Sequence, residues 1–149
     1  MVTFLLDTNA LSEPARPKPD AKFMRKLRVN ASEVAISSIT WHEAIFGMER
    51  LVPGARREAV RQYLYETVAR TTPVLPYDAR AAEVHGKERA RLEGLGRPPT
   101  FADAQIAAVA IANQLILVTA NIKDFSRFEG LLVESWFAPP KRDSPGSSR

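Results

Sequence analysis

Residues 3–9, with the sequence TFLLDTN, join a short apolar run to a carboxylate and two small polar residues. Such a run fits a parallel strand that is covered on both faces. In open α/β sheets the ligand crevice lies at the carboxyl ends of the strands, and Asp7 stands at such an end. Two interpretations of Asp7 stay open. It belongs to a functional site, or it only caps the next helix by accepting the free N–H groups there.

Strand-like and helix-like segments alternate along the rest of the chain. The further predicted strands are residues 33–38, 73–76, 115–119 and 131–133, and the predicted helices are residues 20–29, 39–47, 55–70, 77–92 and 101–112. This alternation predicts an α/β domain with a mainly parallel central sheet flanked by helices. The predicted domain covers residues 1–137, and the Pro- and Ser-rich residues 138–149 are predicted to be disordered.

The composition limits the classes of function. A chain of 149 residues fits one domain, and the absence of cysteine excludes disulfides and thiol chemistry. A metal must then be held by oxygen or by the two histidines, which favours a hard cation. The net charge of +4 and the pI near 9.7 modestly favour a polyanionic partner. We expect a cytoplasmic protein without a membrane segment, because no apolar stretch approaches the roughly 20 residues that span a bilayer.

Acidic residues recur where predicted strands end or predicted helices begin. Asp7 follows the first strand, Glu43 follows the second, and Asp103 lies at the start of the helix at 101–112. Asn121 and Asp124 follow the strand at 115–119. These positions converge at one edge of a parallel sheet, and carboxylates crowded together repel one another unless a cation neutralises them. Mg²⁺ and Mn²⁺ prefer oxygen ligands, so the cluster is interpreted as a metal site.

Structural interpretations of two of these acids stay open. Thr40 and Glu43 have the spacing of a capping box. Alternatively, Glu43 lies in the first turn of a helix and points into the crevice of Asp7. Asp103 lies in a first turn where the helix dipole favours negative charge. Against simple capping, Thr100 already occupies the cap position, and small neighbours leave room for a cation or a phosphate.

Other carboxylate chemistries fit less well. A phosphatase with a strand-end aspartate nucleophile usually has a second aspartate two residues later, where this chain has Asn9. Walker-type loops, Gly-rich dinucleotide fingerprints and a serine nucleophile elbow are missing. A pair of glycosidase acids leaves Asp103 and Asp124 unexplained.

Four motifs occur in order along the chain: LLDTN at 5–9, SITWHE at 38–43, FADAQIA at 101–107 and VTANIKDF at 118–125. This ordered set resembles the PIN-domain family, and more narrowly the VapC/FitB-like toxins of type II toxin–antitoxin modules. The likeness extends to about residue 136 and includes GRP at 96–98. It implies a PIN-like three-layer sandwich and Mg²⁺-dependent endoribonuclease activity, with Mn²⁺ as an alternative ion. It also implies a tRNA or rRNA substrate, a homodimer, and a cognate VapB-like antitoxin that binds over the active site.

The resemblance also assigns roles to residues. Asp7, Glu43 and Asp103 match the three family acids, which hold the metal and serve catalysis. The fourth position is less regular. Some relatives are acidic where this chain has Asn121, and others, like this chain, have Asn there and an acid three residues later, where Asp124 stands. Asp124 is therefore taken as the fourth carboxylate, and Asn121 as a weak or indirect ligand.

Two further groups of residues support this site in the sequence interpretation. Hydrogen-bonding residues next to the acids are expected to orient the carboxylates, as metal ligands generally require; they are Thr8, Asn9 and Thr119. Basic residues in two loops either hold flanking RNA phosphates or are ordinary surface charges; they are Arg16, Lys18 and Arg97.

Two alternative functions remain at this stage. One is a PIN-fold module that binds nucleic acid or protein without catalysis, although such a module is expected to lose one or more of the acids that this chain keeps. The other is a DNA-directed metal-dependent nuclease, since the same metal site cuts either polymer. RNA as the substrate comes from the resemblance alone.

Overall fold

The structure is a computed structural model that describes residues 1–139. Residues 140–149, most of the segment predicted to be disordered, lie outside the described residues. The domain boundary at residue 137 therefore stays a prediction.

The central sheet contains five parallel strands in the order β3-β2-β1-β4-β5. The strands are β1 (Phe4–Leu6), β2 (Val34–Ser37), β3 (Val74–Leu75), β4 (Ile116–Val118) and β5 (Leu132–Glu134). The apolar run that opens the chain is thus the middle strand, and the proline-flanked segment at 73–76 supplies an edge strand, as expected. The predicted α/β fold with a mainly parallel sheet is confirmed.

Eight α-helices occur within residues 1–139. They are α1 (Thr8–Ser12), α2 (Ala21–Asn30), α3 (Ser38–Glu49), α4 (Ala55–Gln62), α5 (Ala69–Thr71), α6 (Ala79–Gly94), α7 (Phe101–Ala112) and α8 (Ile122–Phe125). The helix predicted at 55–70 consists of α4, a π-helical segment Tyr63–Val68, and α5. The side chains of Asp20, Asp78 and Thr100 cap α2, α6 and α7, because each accepts a hydrogen bond from a free N–H in the first turn.

Alternate residues of the central strands build two apolar layers, one on each face of the sheet. Leu5 and Leu117 pack with the Ala-rich α7 and with α6. Leu6 and Val118 point to the opposite face and pack with Phe23 of α2 and with α3 and the π-helical segment. Successive side chains of a strand point to opposite faces, so both faces need a covering layer of helices. The result is the predicted three-layer sandwich.

His85 of α6 packs inside the protein. The residue is buried, and its Nδ1 atom lies 2.8 Å from the hydroxyl oxygen of Tyr77. Burial, helped by the positive charge of Arg89, lowers the pKa of His85. Among residues 1–139, no helix combines the length and the apolarity needed to cross a membrane.

Trp136 closes the apolar layer around α2. Its side chain is fully buried, and its ring meets Phe4 edge-on, with 5.0 Å between the ring centroids. Its Nε1–H donates a 2.9 Å hydrogen bond to the Glu134 carboxylate. The chain after β5 is therefore part of the folded core up to at least this residue.

We expect Trp136→Ala to lower the free energy of unfolding by about 3–5 kcal/mol, because it removes a buried aromatic ring and leaves a cavity. Chemical denaturation measures this change. Val29→Ala is the control, since Val29 is exposed and such changes usually stay within about 0.5 kcal/mol. A similar small effect for both variants would show that Trp136 does not anchor the core.

Candidate functional site

A cavity of about 320 Å³ opens at the carboxyl edge of the sheet, between α3 and the start of α7. Six of the residues singled out in the sequence line this cavity together: Asp7, Thr8, Asn9, Glu43, Asp103 and Asn121. Parallel strands end at the same edge, so residues far apart in the chain meet there. The structure thus brings together the three acids of the first three motifs.

Asp7 is 4% exposed and is held by three hydrogen bonds at the end of β1. Its own N–H donates to the Val118 carbonyl oxygen at 3.0 Å, which continues the pairing with β4. Its Oδ1 atom accepts a hydrogen bond from the Ala10 N–H at 2.9 Å, and its Oδ2 atom accepts one from the Thr119 hydroxyl. Asp7 therefore caps α1 and also lines the cavity. The capping interpretation is confirmed, and the functional interpretation stays a prediction.

The pKa of the Asp7 carboxyl is raised above its ordinary value. Burial is the largest cause, and the negative charge of Asp103 adds to it. The hydrogen bonds from Thr119 and from the Ala10 and Asn9 backbone act in the opposite direction without cancelling the effect of burial. An anion here is thus unfavourable unless a positive charge approaches it.

Thr119 connects the end of β4 to Asp7. Its hydroxyl donates to the Asp7 carboxylate and at the same time accepts a 2.9 Å hydrogen bond from the Asn121 N–H. The predicted orienting residue is therefore in contact with the acid. Thr8 and Asn9, also predicted to orient the carboxylates, line the cavity beside Asp7.

Asp103 lies in the first turn of α7 and is partly buried. Its N–H donates a 3.2 Å hydrogen bond to the Thr100 hydroxyl oxygen, so Thr100 is the cap residue, as predicted. Burial raises the pKa of Asp103, and the charges of Asp124 and Glu43 raise it further. Thr100 and the guanidinium of Arg127 partly offset this rise. The acids act on one another electrostatically, as expected of a shared site.

The capping-box interpretation of Glu43 is wrong. Ser37 caps α3, because its hydroxyl oxygen accepts a 3.0 Å hydrogen bond from the Thr40 N–H. The helix starts at Ser38, so Glu43 lies in the second turn rather than in the first turn, where we expected it. One turn further along the helix, its side chain still lines the cavity of Asp7.

Asn121 and Asp124, the two candidates for the fourth ligand position, lie in different surroundings. Asn121 lines the cavity, whereas Asp124 lies exposed on α8 outside its lining. Asp124 still acts on Asp103 through its charge. Its carbonyl oxygen accepts a 2.9 Å hydrogen bond from Arg127, a cation near the acids that the sequence analysis missed.

The three basic residues predicted to contact RNA lie outside the acidic cavity. Arg16 is exposed, forms a 3.2 Å ion pair with the buried Glu13, and lines a neighbouring cavity of about 900 Å³ that also reaches Asn9. Lys18 is exposed in the same loop. Arg97 is exposed in the segment before α7. Arg16 lines the cavity next to the site, and none of the three residues lines the acidic cavity itself.

Two residues that line the cavity were missed at the sequence level, Phe46 and Arg50. Both lie on α3, three and seven residues after Glu43. Residues spaced by three, four and seven share one face of a helix, so this spacing was the available signal.

The donor chemistry of the cavity fits a hard divalent cation. Within residues 1–139, no three His, Cys, Asp or Glu side chains stand close enough to form a complete metal cage. Mg²⁺ does not require such a cage, because it usually keeps several waters and binds one or two carboxylates together with substrate phosphates. Asp7 and Asp103 supply such a pair, and burial, the largest cause of their raised pKa values, makes their anionic forms unfavourable without a nearby cation.

We expect Asp103→Asn to make the metal-free protein more stable at pH 7. In the unfolded chain this carboxyl titrates near 3.8, and its pKa is higher in the folded protein. The folded state therefore binds the proton more tightly, and its stability falls as the pH rises through this range. The Tm of Asp103→Asn should therefore exceed that of wild type at pH 7, and the gain should shrink as the pH falls towards the unfolded-state pKa of 3.8.

Thermal denaturation in EDTA at several pH values measures this difference. Glu58→Gln removes one exposed acid from α4, away from the cavity, and controls for the change in net charge. A lower Tm for Asp103→Asn at pH 7, relative to this control, would contradict the proposed repulsion.

Comparison with known proteins identifies the family of this chain. The PIN domain family matches residues 4–131. The chain is 38% identical to the tRNA(fMet)-specific endonuclease VapC of Shigella flexneri. The alignment spans 136 residues and covers 91% of this chain and 99% of that relative. The fold matches the crystal structure of DNA-bound VapBC from Salmonella typhimurium with a TM-score of 0.82 at 34% identity, over 91% of this chain and 99% of that one.

A second solved structure, FitAcB from Neisseria gonorrhoeae, matches with a TM-score of 0.81 at 28% identity, over 88% of this chain and 96% of that one. Fold, motif order and the converging acids thus lead to one assignment. The chain belongs to the PIN-domain family, among its VapC/FitB-like members.

Proposed function

We propose that this protein is a Mg²⁺-dependent endoribonuclease toxin of the VapC type that hydrolyses phosphodiester bonds in RNA. The observation that carries the proposal is the cavity in which Asp7, Glu43 and Asp103 converge, with the pKa values of Asp7 and Asp103 both raised. These carboxylates would hold a divalent cation, which would supply positive charge for a phosphate. The nuclease names of the relatives support the same activity.

In this proposal Asp7 and Asp103 hold the metal directly, and Glu43 and Asp124 complete the negative charge directly or through waters. Mn²⁺ is expected to replace Mg²⁺, since both prefer oxygen ligands. A divalent cation bound here supplies Lewis acidity, which polarises a phosphoryl oxygen and lowers the pKa of a coordinated water.

The chain's own groups hold the carboxylates for this task. The Thr119 hydroxyl and the Ala10 N–H fix both oxygens of Asp7, so this carboxylate presents one orientation to the cavity. Thr8, Asn9 and Asn121 surround the acids with polar side chains. Neither histidine lines the cavity. Proton transfer in this proposal therefore involves water and carboxylates rather than an imidazole.

The proposed substrate is tRNA or rRNA. The Shigella relative is named as a tRNA(fMet)-specific endonuclease, and the net charge of +4 favours a polyanion. Arg16, Lys18 and Arg97 are proposed to hold phosphates away from the scissile bond, and Arg16 lines the neighbouring cavity that also reaches Asn9.

The proposed partners are a VapB-like antitoxin and a second copy of this chain. The solved relatives include toxin–antitoxin complexes, which supports the first of these. For the homodimer, the amphipathic segment formed by α4, the π-helical segment and α5 is the interface candidate. We also propose that the PIN domain ends at residue 137 and that the protein acts in the cytoplasm.

We expect purified wild-type protein, free of antitoxin, to cut a mixed tRNA and rRNA pool into discrete products when Mg²⁺ is present. EDTA, Asp7→Ala and Asp103→Ala should each reduce the rate at least ~100-fold, because each removes the charge that organises the phosphate. Gel analysis and end mapping of the products measure this and reveal the target.

The control for purification and handling is Lys87→Gln. Lys87 is exposed on α6 and does not line the acidic cavity. Cleavage that persists in EDTA or without Asp7 would refute the metal-dependent mechanism. Cleavage of single-stranded DNA but not RNA would support the DNA-directed alternative. No cleavage of either polymer by folded, metal-loaded protein would favour the silent binding module.

We expect Asp124→Asn to reduce cleavage by only about tenfold, less than Asp103→Asn. Asp124 lies outside the cavity lining, so its charge acts over a longer distance than a direct ligand. Asn121→Asp, which places an acid in the cavity, should lower the Mg²⁺ concentration needed for half-maximal rate. Rates measured across a Mg²⁺ titration test both variants. An Asp124→Asn loss as large as that of Asp103→Asn would make Asp124 a direct ligand.

A further inference from the structure

Phe46 is unusually exposed for a large aromatic side chain. It lies on α3 three residues after Glu43, and it is 52% exposed. The same helix buries Ala44 and Met48 in the core, so Phe46 belongs to the face that the core does not cover. Its ring lines the acidic cavity together with Glu43.

Arg50 covers part of this ring. Its guanidinium carbon lies 4.9 Å from the centroid of Phe46, a cation–π contact between residues one helical turn apart. Within residues 1–139, the Arg50 side chain has no ion-pair partner and makes no hydrogen bond. Three carboxylates nevertheless line the same cavity. Its N–H donors are therefore available to an anionic ligand.

Gly47, between these residues, leaves the cavity wall open. A Cβ atom added there would meet nothing within 4 Å, so packing does not require glycine at this helical position. Glycine inside a helix is less favourable than alanine by about 1 kcal/mol. The missing side chain leaves space next to the acids, and this observation is independent of the Phe46–Arg50 contact.

We propose that Phe46 and Arg50 form a nucleotide subsite: the ring stacks on an unpaired base beside the scissile bond, and the guanidinium binds its phosphate. This Phe46–Arg50 platform rests on the proposed nuclease function. Single-stranded RNA is recognised by stacking of splayed bases on aromatic rings and guanidinium planes. Arg also forms strong charge-assisted hydrogen bonds with phosphate. A phosphate held at the acids places its neighbouring nucleotide within the same cavity.

Phe101 supplies a matched control outside the cavity lining. It is 59% exposed, and the Arg89 guanidinium carbon lies 4.6 Å from its ring centroid. The two aromatic–Arg pairs thus have similar exposure and similar geometry. Only the Phe46–Arg50 pair lines the acidic cavity.

The first test compares Phe46→Leu, Phe46→Trp and Phe101→Leu in Mg²⁺-dependent cleavage of the tRNA and rRNA pool. Phe46→Leu should lower kcat/KM about tenfold, mainly by raising KM, because leucine keeps the apolar volume but cannot stack. Phe46→Trp should restore the rate, and Phe101→Leu should change it less than twofold. Equal losses from Phe46→Leu and Phe101→Leu, or no loss from Phe46→Leu, would overturn the proposal.

The second test does not depend on catalysis. The probe is an unlabelled 12-nucleotide RNA of random sequence. It should quench the tryptophan emission of Phe46→Trp more than that of wild type or Phe101→Trp, because a stacked base quenches indole fluorescence. Arg50→Gln should reduce the slope of log affinity against log salt by about 0.7, the value for one lost phosphate contact on a single strand. Unchanged quenching in Phe46→Trp together with an unchanged slope would overturn the subsite.

These two tests separate the subsite from the function on which it rests. An inactive wild type whose Phe46→Trp variant is quenched by RNA refutes the nuclease but keeps the subsite. An active wild type with no effect at Phe46 or Arg50 refutes the subsite alone. If Phe46→Leu instead converts a dimer to a monomer in analytical ultracentrifugation, Phe46 contacts a second copy of the chain, and the proposal is wrong.

Discussion

The hydrogen bond from the Thr119 hydroxyl to the Asp7 carboxylate joins the ends of β1 and β4, and the geometry of the site depends on it. A buried carboxylate is strongly unfavourable unless hydrogen bonds replace its lost water. Asp7 receives such bonds from Thr119 and from the first turn of α1. One acid thus ends the central strand, starts a helix and faces the cavity, so the site is built into the core of the sheet.

The same arrangement concentrates negative charge at the carboxyl edge of the sheet. Burial and the charges of neighbouring acids raise the pKa values of Asp7 and Asp103. Hydrogen bonds at Asp7, and Thr100 and Arg127 at Asp103, offset only part of this effect. Proteins tolerate such unfavourable groups mainly at functional sites, where stability is exchanged for activity. A divalent cation removes the repulsion, so the proposed metal both stabilises the protein and organises the phosphate.

Several elements of this fold could be predicted because their signals are local. Asp20, Asp78 and Thr100 start helices by capping interactions that span three residues, and a proline-flanked edge strand follows from backbone chemistry alone. The capping box at Thr40 and Glu43 failed because Ser37 was an equally good cap three residues earlier. Phe46 and Arg50 were missed because their role depends on which face of α3 the core leaves open.

The sequence by itself determined the order of the predicted strands and helices along the chain and the family to which the chain belongs. It also determined that the candidate metal ligands are oxygen atoms. These follow from short-range spacing and residue type. Only the tertiary structure decided which groups meet: Thr119 and Asp7 are 112 residues apart, and Asn121 rather than Asp124 enters the cavity. It also decided the raised pKa values, because burial and repulsion are sums over neighbours that come from every part of the chain.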